Sequence, residues 1–477
     1  MNRAKYYTDQ VLEQSLNDMS NEDEILPDYQ DNSDEDPHYV PSTDEEEEIF
    51  SSGDEISLTQ EGPAVQPHPE LPLSNYDKEN LDVSNNIPQI TAEWHPPVEK
   101  QPILKQSGID PKCSRNETGE YFEAVVDDRI FRMIADQTNL YATQTLLAIN
   151  VGSSSRLHTW SPTNAYEIKK LFGMIVWVGL VKMPAVVDYW SQNPMFRNNF
   201  ATSVMTRNRF EILLRMLHFA DNTDYVEGDR LHKIKGLVDM LRVNFQSLYE
   251  PNEVVCVDES FRGYTYNLQI YAGKMLDQCK TTPLGVVMSL CEPILNQGRT
   301  ICTDNWYTSL QLAERLLDRD TYLVGIMRSN RKGIPQDVAK AKLKVDETIA
   351  MENHKGVTVL NWRDKRNVLM LSTKYSNEVV ETTRKTGQLV NKPKMVMDYN
   401  KGNSAVDLSD QMAAYSRPLR KTVKWYRKLA IELILNTSMV NAYVLYTEVT
   451  GNKNKIVEFR KKIVQYLYSK TEQERQV

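Results

Sequence analysis

The chain has 477 residues, room for two or three domains, and 56 lysines and arginines against 65 aspartates and glutamates, a formal net charge of −9. The charge is unevenly placed: residues 1–60 hold 18 acids and 2 bases, a net −16, so against the whole-chain −9 the other 417 residues carry +7. Only that later body has the sign to face a polyanion, and the acidic start is excluded as its contact surface.

In chain order, Met1 is followed by Tyr6-Tyr7 and polar residues, so no apolar signal segment is expected. Residues 1–115 read as a disordered acidic tail. They contain Asp44-Glu45-Glu46-Glu47-Glu48, scattered prolines at 63, 67, 69 and 72, and no sustained periodicity. Beyond a solvated tail, two sharper readings stay open. Its charge competes with a polyanion for the basic body, or Ser42, Ser51 and Ser52, each close to acids, are phosphorylated.

Asn164-Ala165-Tyr166-Glu167 has the shape of a helix start ahead of the apolar run Leu171–Val181. At 11 residues between Lys170 and Lys182, that run is a buried core helix rather than a membrane span, which takes about 20 residues. Phe210, Leu213, Leu214 and Leu217 share one helical face in 208–220. Five cysteines, at 113, 256, 279, 291 and 302, point to reduced thiols in an intracellular protein.

Two short β-branched runs then end in acids. Val254-Val255-Cys256-Val257 predicts a buried strand leading into Asp258-Glu259, and Thr300-Ile301-Cys302-Thr303 a second leading into Asp304. Leu310–Leu317 reads as a helix and Tyr322–Ile326 as another strand. Residues 331–394 mix charges with β-prone patches and read as an insertion before the third acidic element. In that element, Val406-Asp407-Leu408-Ser409-Asp410, the acids are three apart and share a helix face. Two carboxylates at strand ends and a third on a packed helix suit a site for two divalent metals roughly 4 Å apart against a phosphodiester. The plainer alternative is that these are ordinary strand-end aspartates.

Directly after the third acidic element, residues 417–428 hold six bases, no acids and two aromatics. This composition suits phosphate contacts by Arg417, Arg420, Lys421, Lys424, Arg427 and Lys428 with an aromatic beside them; the alternative is a solvated basic face next to a core tryptophan. An apolar-periodic helix with Leu429, Leu433, Ile434 and Val440 follows.

The blocks around these residues resemble the piggyBac family of DNA transposases. They are Asp188-Tyr189-Trp190-Ser191, 229–234, Val257-Asp258-Glu259-Ser260, 303–309 from Thr303 to Ser309, 328–335 from Arg328 to Pro335, 362–368, and 399–412. They span roughly 116–448 in the family's order. The resemblance implies an α/β fold with a ribonuclease-H-like transposase core, an insertion domain and an all-α dimerisation and DNA-binding region. The implied boundaries are 1–115 tail, 116–253 helical region, 254–330 first part of the core, 331–394 insertion, 395–415 third-acid helix and 416–477 C-terminal helical DNA-binding region.

It further implies Mg²⁺ or Mn²⁺ held by Asp258, Asp304 and Asp407, with Asp410 a fourth ligand or close neighbour. Arg328, Arg331 and Lys332 are candidate DNA contacts alongside the 417–428 bases. The implied partners are double-stranded DNA, as transposon ends and target, and a second copy of the chain, in the nucleus and away from membranes.

Two departures from the family pattern are visible. Phe261-Arg262-Gly263 runs straight into Tyr264, where the family has a longer stretch that contributes a strand, so the sheet is expected to lack an internal strand, with a hairpin at most. No cysteine follows Cys302, so the family's C-terminal Cys/His-rich zinc module is not expected. These departures keep a second reading open, a transposase-derived protein that binds DNA or chromatin without cutting it. A metal-dependent phosphohydrolase unrelated to DNA is a third.

Overall fold

The computed structural model describes residues 2–7, 93–97, 115–148, 156–257, 263–272, 282–383, 389–400 and 424–474. Among these described residues the organising element is a mixed sheet of nine strands: β1 (Asn2–Tyr7), β2 (Trp94–His95), β3 (Val254–Val257), β4 (Tyr264–Ile270), β5 (Thr300–Thr303), β6 (Tyr322–Ile326), β7 (Thr348–Asn353), β8 (Thr358–Arg363) and β9 (Asn367–Ser372). The order across the sheet is β2-β7-β8-β9-β6-β5-β3-β1-β4. A separate antiparallel pair joins β10 (Val379–Thr383) to β11 (Leu389–Pro393).

The centre is parallel. β3 pairs with β5 from Val254↔Thr300 to Val257↔Thr303, and β5 with β6 from Thr300↔Tyr322 to Thr303↔Gly325. Parallel strands of this kind are covered on both faces, which accounts for runs that are apolar without alternating. Val255, Val257, Ile301 and Leu323 join one buried cluster, while Cys256, Cys302 and Val324 join another on the opposite face. The three described cysteines, Cys256, Cys291 and Cys302, are buried and unbridged, and burial pushes the Cys291 thiol up to about 12.

On the far side of β6 the sheet turns antiparallel through β9, β8 and β7. Among the described residues, the stretch expected as an insertion therefore contributes three strands to the main sheet, and the β10–β11 pair stands apart from it.

The short junction after Val257 is resolved in an unexpected way. β1 lies between β3 and β4 and runs parallel to both, with Asn2–Ala4 against Val255–Val257 and Asn2–Tyr7 against Tyr264–Ile270 across an irregularity between Arg3 and Ala4. β3 and β4 thus point the same way and do not form a hairpin. The backbone groups a missing strand would orphan are paired by a segment drawn from far away in sequence. Residues 2–7 and Trp94–His95 are strands inside the stretch read as a tail, most of which lies outside the described residues.

The early helices, up to Leu248, and the late ones, from Trp425, share one main core, while Pro283–Cys291 and Leu310–Leu317 pack on the sheet with Val255 and Ile301. Asp128–Ala148, Ala165–Leu180, Arg207–Met216 and His232–Leu248 bury Phe131, Phe172, Phe210 and Phe245, and the later helices add Leu429, Leu445, Phe459 and Leu467 to the same cluster. The expected start at Asn164 is present: its side chain accepts a hydrogen bond from the Glu167 amide at 3.0 Å. Helix Ile456–Glu474 comes so close to helix Thr118–Val125 that a Cβ on Gly119 would sit 1.9 Å from the Tyr466 ring. The stretch Trp425–Thr450 is long and apolar enough to cross a membrane, but it is mostly buried in this core and carries a π-turn at Leu433–Thr437.

Candidate active site at the carboxyl ends of the parallel strands

In open α/β sheets, ligands bind beyond the carboxyl ends of the parallel strands. At that end β3 and β5 finish level, because Val257 pairs with Thr303, and β6 runs one residue further, since Thr303 pairs with Gly325. Asp304 is the next residue after β5. Asp258 follows Val257 one strand away but lies outside the described residues, as do Asp407 and Asp410.

The loop that carries Asp304 is tightly built. Its Oδ1 accepts from the amides of Trp306 at 3.0 Å and Tyr307 at 3.2 Å. Its own carbonyl accepts from the Thr308 amide at 3.1 Å and the Thr308 hydroxyl at 2.6 Å. The Thr308 and Thr303 hydroxyls lie 2.7 Å apart, and both residues are buried. The turn ends in a helix, where the Ser309 hydroxyl accepts from the Leu312 amide at 3.2 Å.

Gly325 of β6 leaves space for this loop. A Cβ there would meet Thr308 Oγ1 at 2.2 Å and both oxygens of Thr303 at 2.7 Å. Only glycine permits that approach. Sequence reasoning missed Gly325, Thr303 and Thr308 as site residues, although an isolated glycine within a strand pattern is a known sign of close backbone approach.

Two predicted bases stand on the loop. Arg331 donates through Nη2 to the carbonyls of Asn305 at 3.0 Å and Trp306 at 2.6 Å, and Arg328 donates through Nε to Asn305 Oδ1 at 3.2 Å. Burial and the neighbouring Arg328 charge press the Arg331 guanidinium below its ordinary pKa, while Asp304 pulls the other way. Carboxylate and guanidinium are thus in electrostatic reach. Lys332 next to them is exposed. The structure therefore brings Asp304, Arg328, Arg331 and Lys332 to one end of the sheet.

The 417–428 segment divides differently. Arg417, Arg420 and Lys421 lie outside the described residues. Lys424 and Lys428 are half-buried at the start of helix Trp425–Glu432. Arg427 corrects the expectation of a phosphate contact. It is 6% exposed, donates to the Leu217 carbonyl at 2.7 Å and lies over the rings of Tyr141 and Tyr426. The helix turns its side chain inward, where it joins the first helical region to the last. Tyr426 and His218 complete that contact, with the Tyr426 hydroxyl 3.0 Å from His218 Nδ1 and the His218 ring stacked on Tyr141.

Among the described residues, no group of three or more His, Cys, Asp and Glu side chains is placed to hold a metal ion. One of the three proposed metal-ligand aspartates, Asp304, is described; its donor atoms are carboxylate oxygens, the hard ligands that Mg²⁺ and Mn²⁺ take.

Comparison with known proteins agrees with this architecture. The family described as Transposase IS4 matches residues 118–262 and 259–443, two stretches that meet at the short junction before Tyr264. Human piggyBac transposable element-derived protein 2 is 23% identical over 377 residues, which cover 68% of this chain and 60% of that protein. The chain therefore spans less than two thirds of that relative's length. Human piggyBac transposable element-derived protein 3 is 24% identical over 485 residues, covering 90% of this chain and 75% of that protein. A piggyBac transposase solved by cryo-EM in a synaptic complex with hairpin DNA has the same fold. It aligns with a TM-score of 0.66 and 23% identity over 78% of this chain and 84% of its own. With well over half of its residues matched, the chain belongs to the piggyBac-type transposase family.

Proposed function

We propose that this chain is a piggyBac-like DNA transposase, or a protein derived from one, acting on double-stranded DNA through a ribonuclease-H-like core. The observation that carries the reading is Asp304, fixed at the carboxyl end of β5 beside the end of β3 and shared with Arg328, Arg331 and Lys332. Asp258, Asp304 and Asp407 would hold the Mg²⁺ or Mn²⁺ ions, with Asp410 beside them. Such ions, when bound, neutralise phosphate charge and lower the pKa of an attacking water. The chain's own contribution is positional. Two backbone amides orient the Asp304 carboxylate, the Thr303–Thr308–Gly325 packing keeps its loop rigid, and the bases hold the DNA backbone.

In this reading the helical parts, 116–253 and 416–477, dimerise and bind DNA around the core, and the protein works in the nucleus. A second reading is a domesticated protein that binds DNA or chromatin without cutting it. It is favoured by the junction after β3, where β1 runs parallel in the place of a strand that the chain does not supply locally.

One assay separates the readings. Purified protein with Mg²⁺ or Mn²⁺ is expected to nick or join DNA bearing cognate transposon ends, and Asp304→Ala to abolish this while DNA is still bound. Binding without any cleavage by the wild type would favour the domesticated reading. Cleavage that persists in Asp304→Ala would overturn the site assignment.

A further inference from the structure

Among the described tryptophans, Trp306 alone is strongly exposed. It keeps 54% of its surface accessible, two residues beyond Asp304. An exposed indole on a mobile loop would mean little, but the backbone that carries this one is held in place. Its amide donates to Asp304 Oδ1, its carbonyl accepts from Arg331 at 2.6 Å, and the Arg328 guanidinium carbon lies 5.6 Å from its ring centroid. Arg328 is itself anchored on Asn305. The result is an exposed aromatic ring on a loop whose backbone is tied down, with one guanidinium over it, at the same end of the sheet as the candidate carboxylate.

We infer that Trp306 is a stacking platform for an unpaired DNA base, held next to the phosphodiester that Asp304 addresses. Bases inside a duplex present only their edges, so a ring beside the strand ends can stack only on a base that has left the helix. The flanking guanidinium adds a cation to the stack and sits within reach of the adjoining phosphate. Stacking is tolerant of sequence, because every base has a π-face. The platform therefore selects for DNA shape, meaning a bulge, a hairpin tip or a frayed end. This inference rests on the DNA reading of the site given above.

The test uses the full chain and two fluorescently labelled duplexes, identical except that one carries a single unpaired thymine. Wild type is expected to bind the bulged duplex about tenfold or more tightly than the plain one, in keeping with the worth of one stacked base. Trp306→Ala should bring the ratio of bulged-duplex to plain-duplex affinity down to about one, while Trp306→Tyr should restore part of it. Tryptophan emission should be quenched by the bulged duplex in wild type and not in Trp306→Ala. A preference that survives Trp306→Ala would overturn the inference, as would equal binding of both duplexes by wild type. Failure of wild type to bind either duplex would instead overturn the DNA reading itself, and this inference with it.

Discussion

The side chain of Asn441 binds both backbone groups of Thr265. Its Oδ1 accepts from the Thr265 amide at 2.7 Å and its Nδ2 donates to the Thr265 carbonyl at 2.9 Å. Thr265 belongs to β4, the edge strand of the sheet, and Asn441 to helix Ser438–Thr450. A carboxamide presents the same donor and acceptor pair as a neighbouring strand. The helix thus closes an edge that is too deeply buried for water to satisfy, and ties the late helices to the sheet.

Asn441→Leu should therefore be costly despite its similar size. It leaves a buried amide and a buried carbonyl unpaired, a destabilisation of about 2–4 kcal/mol. Chemical denaturation with urea reads this as a lower midpoint at an unchanged slope. Asn441→Asp should be similarly damaging, since it keeps the acceptor and removes the donor. A midpoint equal to wild type in both variants would mean that β4 does not depend on this pairing.

A second prediction concerns acid. Burial alone would raise the Glu167 carboxyl, but the Arg209 guanidinium, at 2.7 Å from both carboxylate oxygens, and the Thr163 hydroxyl hold it below the usual glutamate value of 4.5. The folded state thus binds this proton more weakly than the unfolded chain does. The resulting stabilisation is complete above the unfolded value and is lost as pH falls through the lowered folded one. Glu167→Gln should cost about 2 kcal/mol at pH 7, consistent with a part-buried pair bonded through both oxygens. The difference from wild type should shrink when unfolding is measured below pH 4. A gap that is constant from pH 7 to pH 3 would refute this account.

The bases of the 417–428 segment should separate in a salt titration. Substituting Lys424 and Lys428 with Gln should reduce the slope of log affinity for duplex DNA against log salt by about 0.9 for each phosphate that is no longer neutralised. Arg427→Gln should leave the slope unchanged and lower the unfolding midpoint instead, because its guanidinium serves the Leu217 carbonyl and two aromatic rings. The opposite pattern would return Arg427 to the DNA surface.

Much of the sheet's centre was legible in the sequence. Val254–Val257 and Thr300–Thr303 are strands over the residues expected, because each is a short β-branched run closed by an acid. The helix that begins after Asn164 announces itself through its cap. Asp304 could be placed because its strand and the following helix are both local patterns. The environment of Arg427 could not be read: a guanidinium on a basic stretch looks solvated until a distant carbonyl and two rings are brought around it. Nor could the membership of β7, β8 and β9 in the main sheet, since Val324↔Ser372 pairing across 48 positions leaves no local trace. β1 was the least accessible. Asn-Arg-Ala-Lys-Tyr-Tyr does not alternate as a half-buried strand should, and its partners lie some 250 positions away.

That distance has a consequence during synthesis. β1 leaves the ribosome well before β3 and β4 exist, and at typical elongation rates the wait is roughly 10–50 s. Throughout that interval β1 has neither of its partners, and once β3 and β4 are made the slot between them stays open until β1 docks. Closing the slot demands a pairing of very high sequence separation, the kind that folds late. The order of translation and the order of docking therefore run opposite ways: the earliest of these strands to be made is among the last to settle, and the edge it covers is open to any other extended segment until it does.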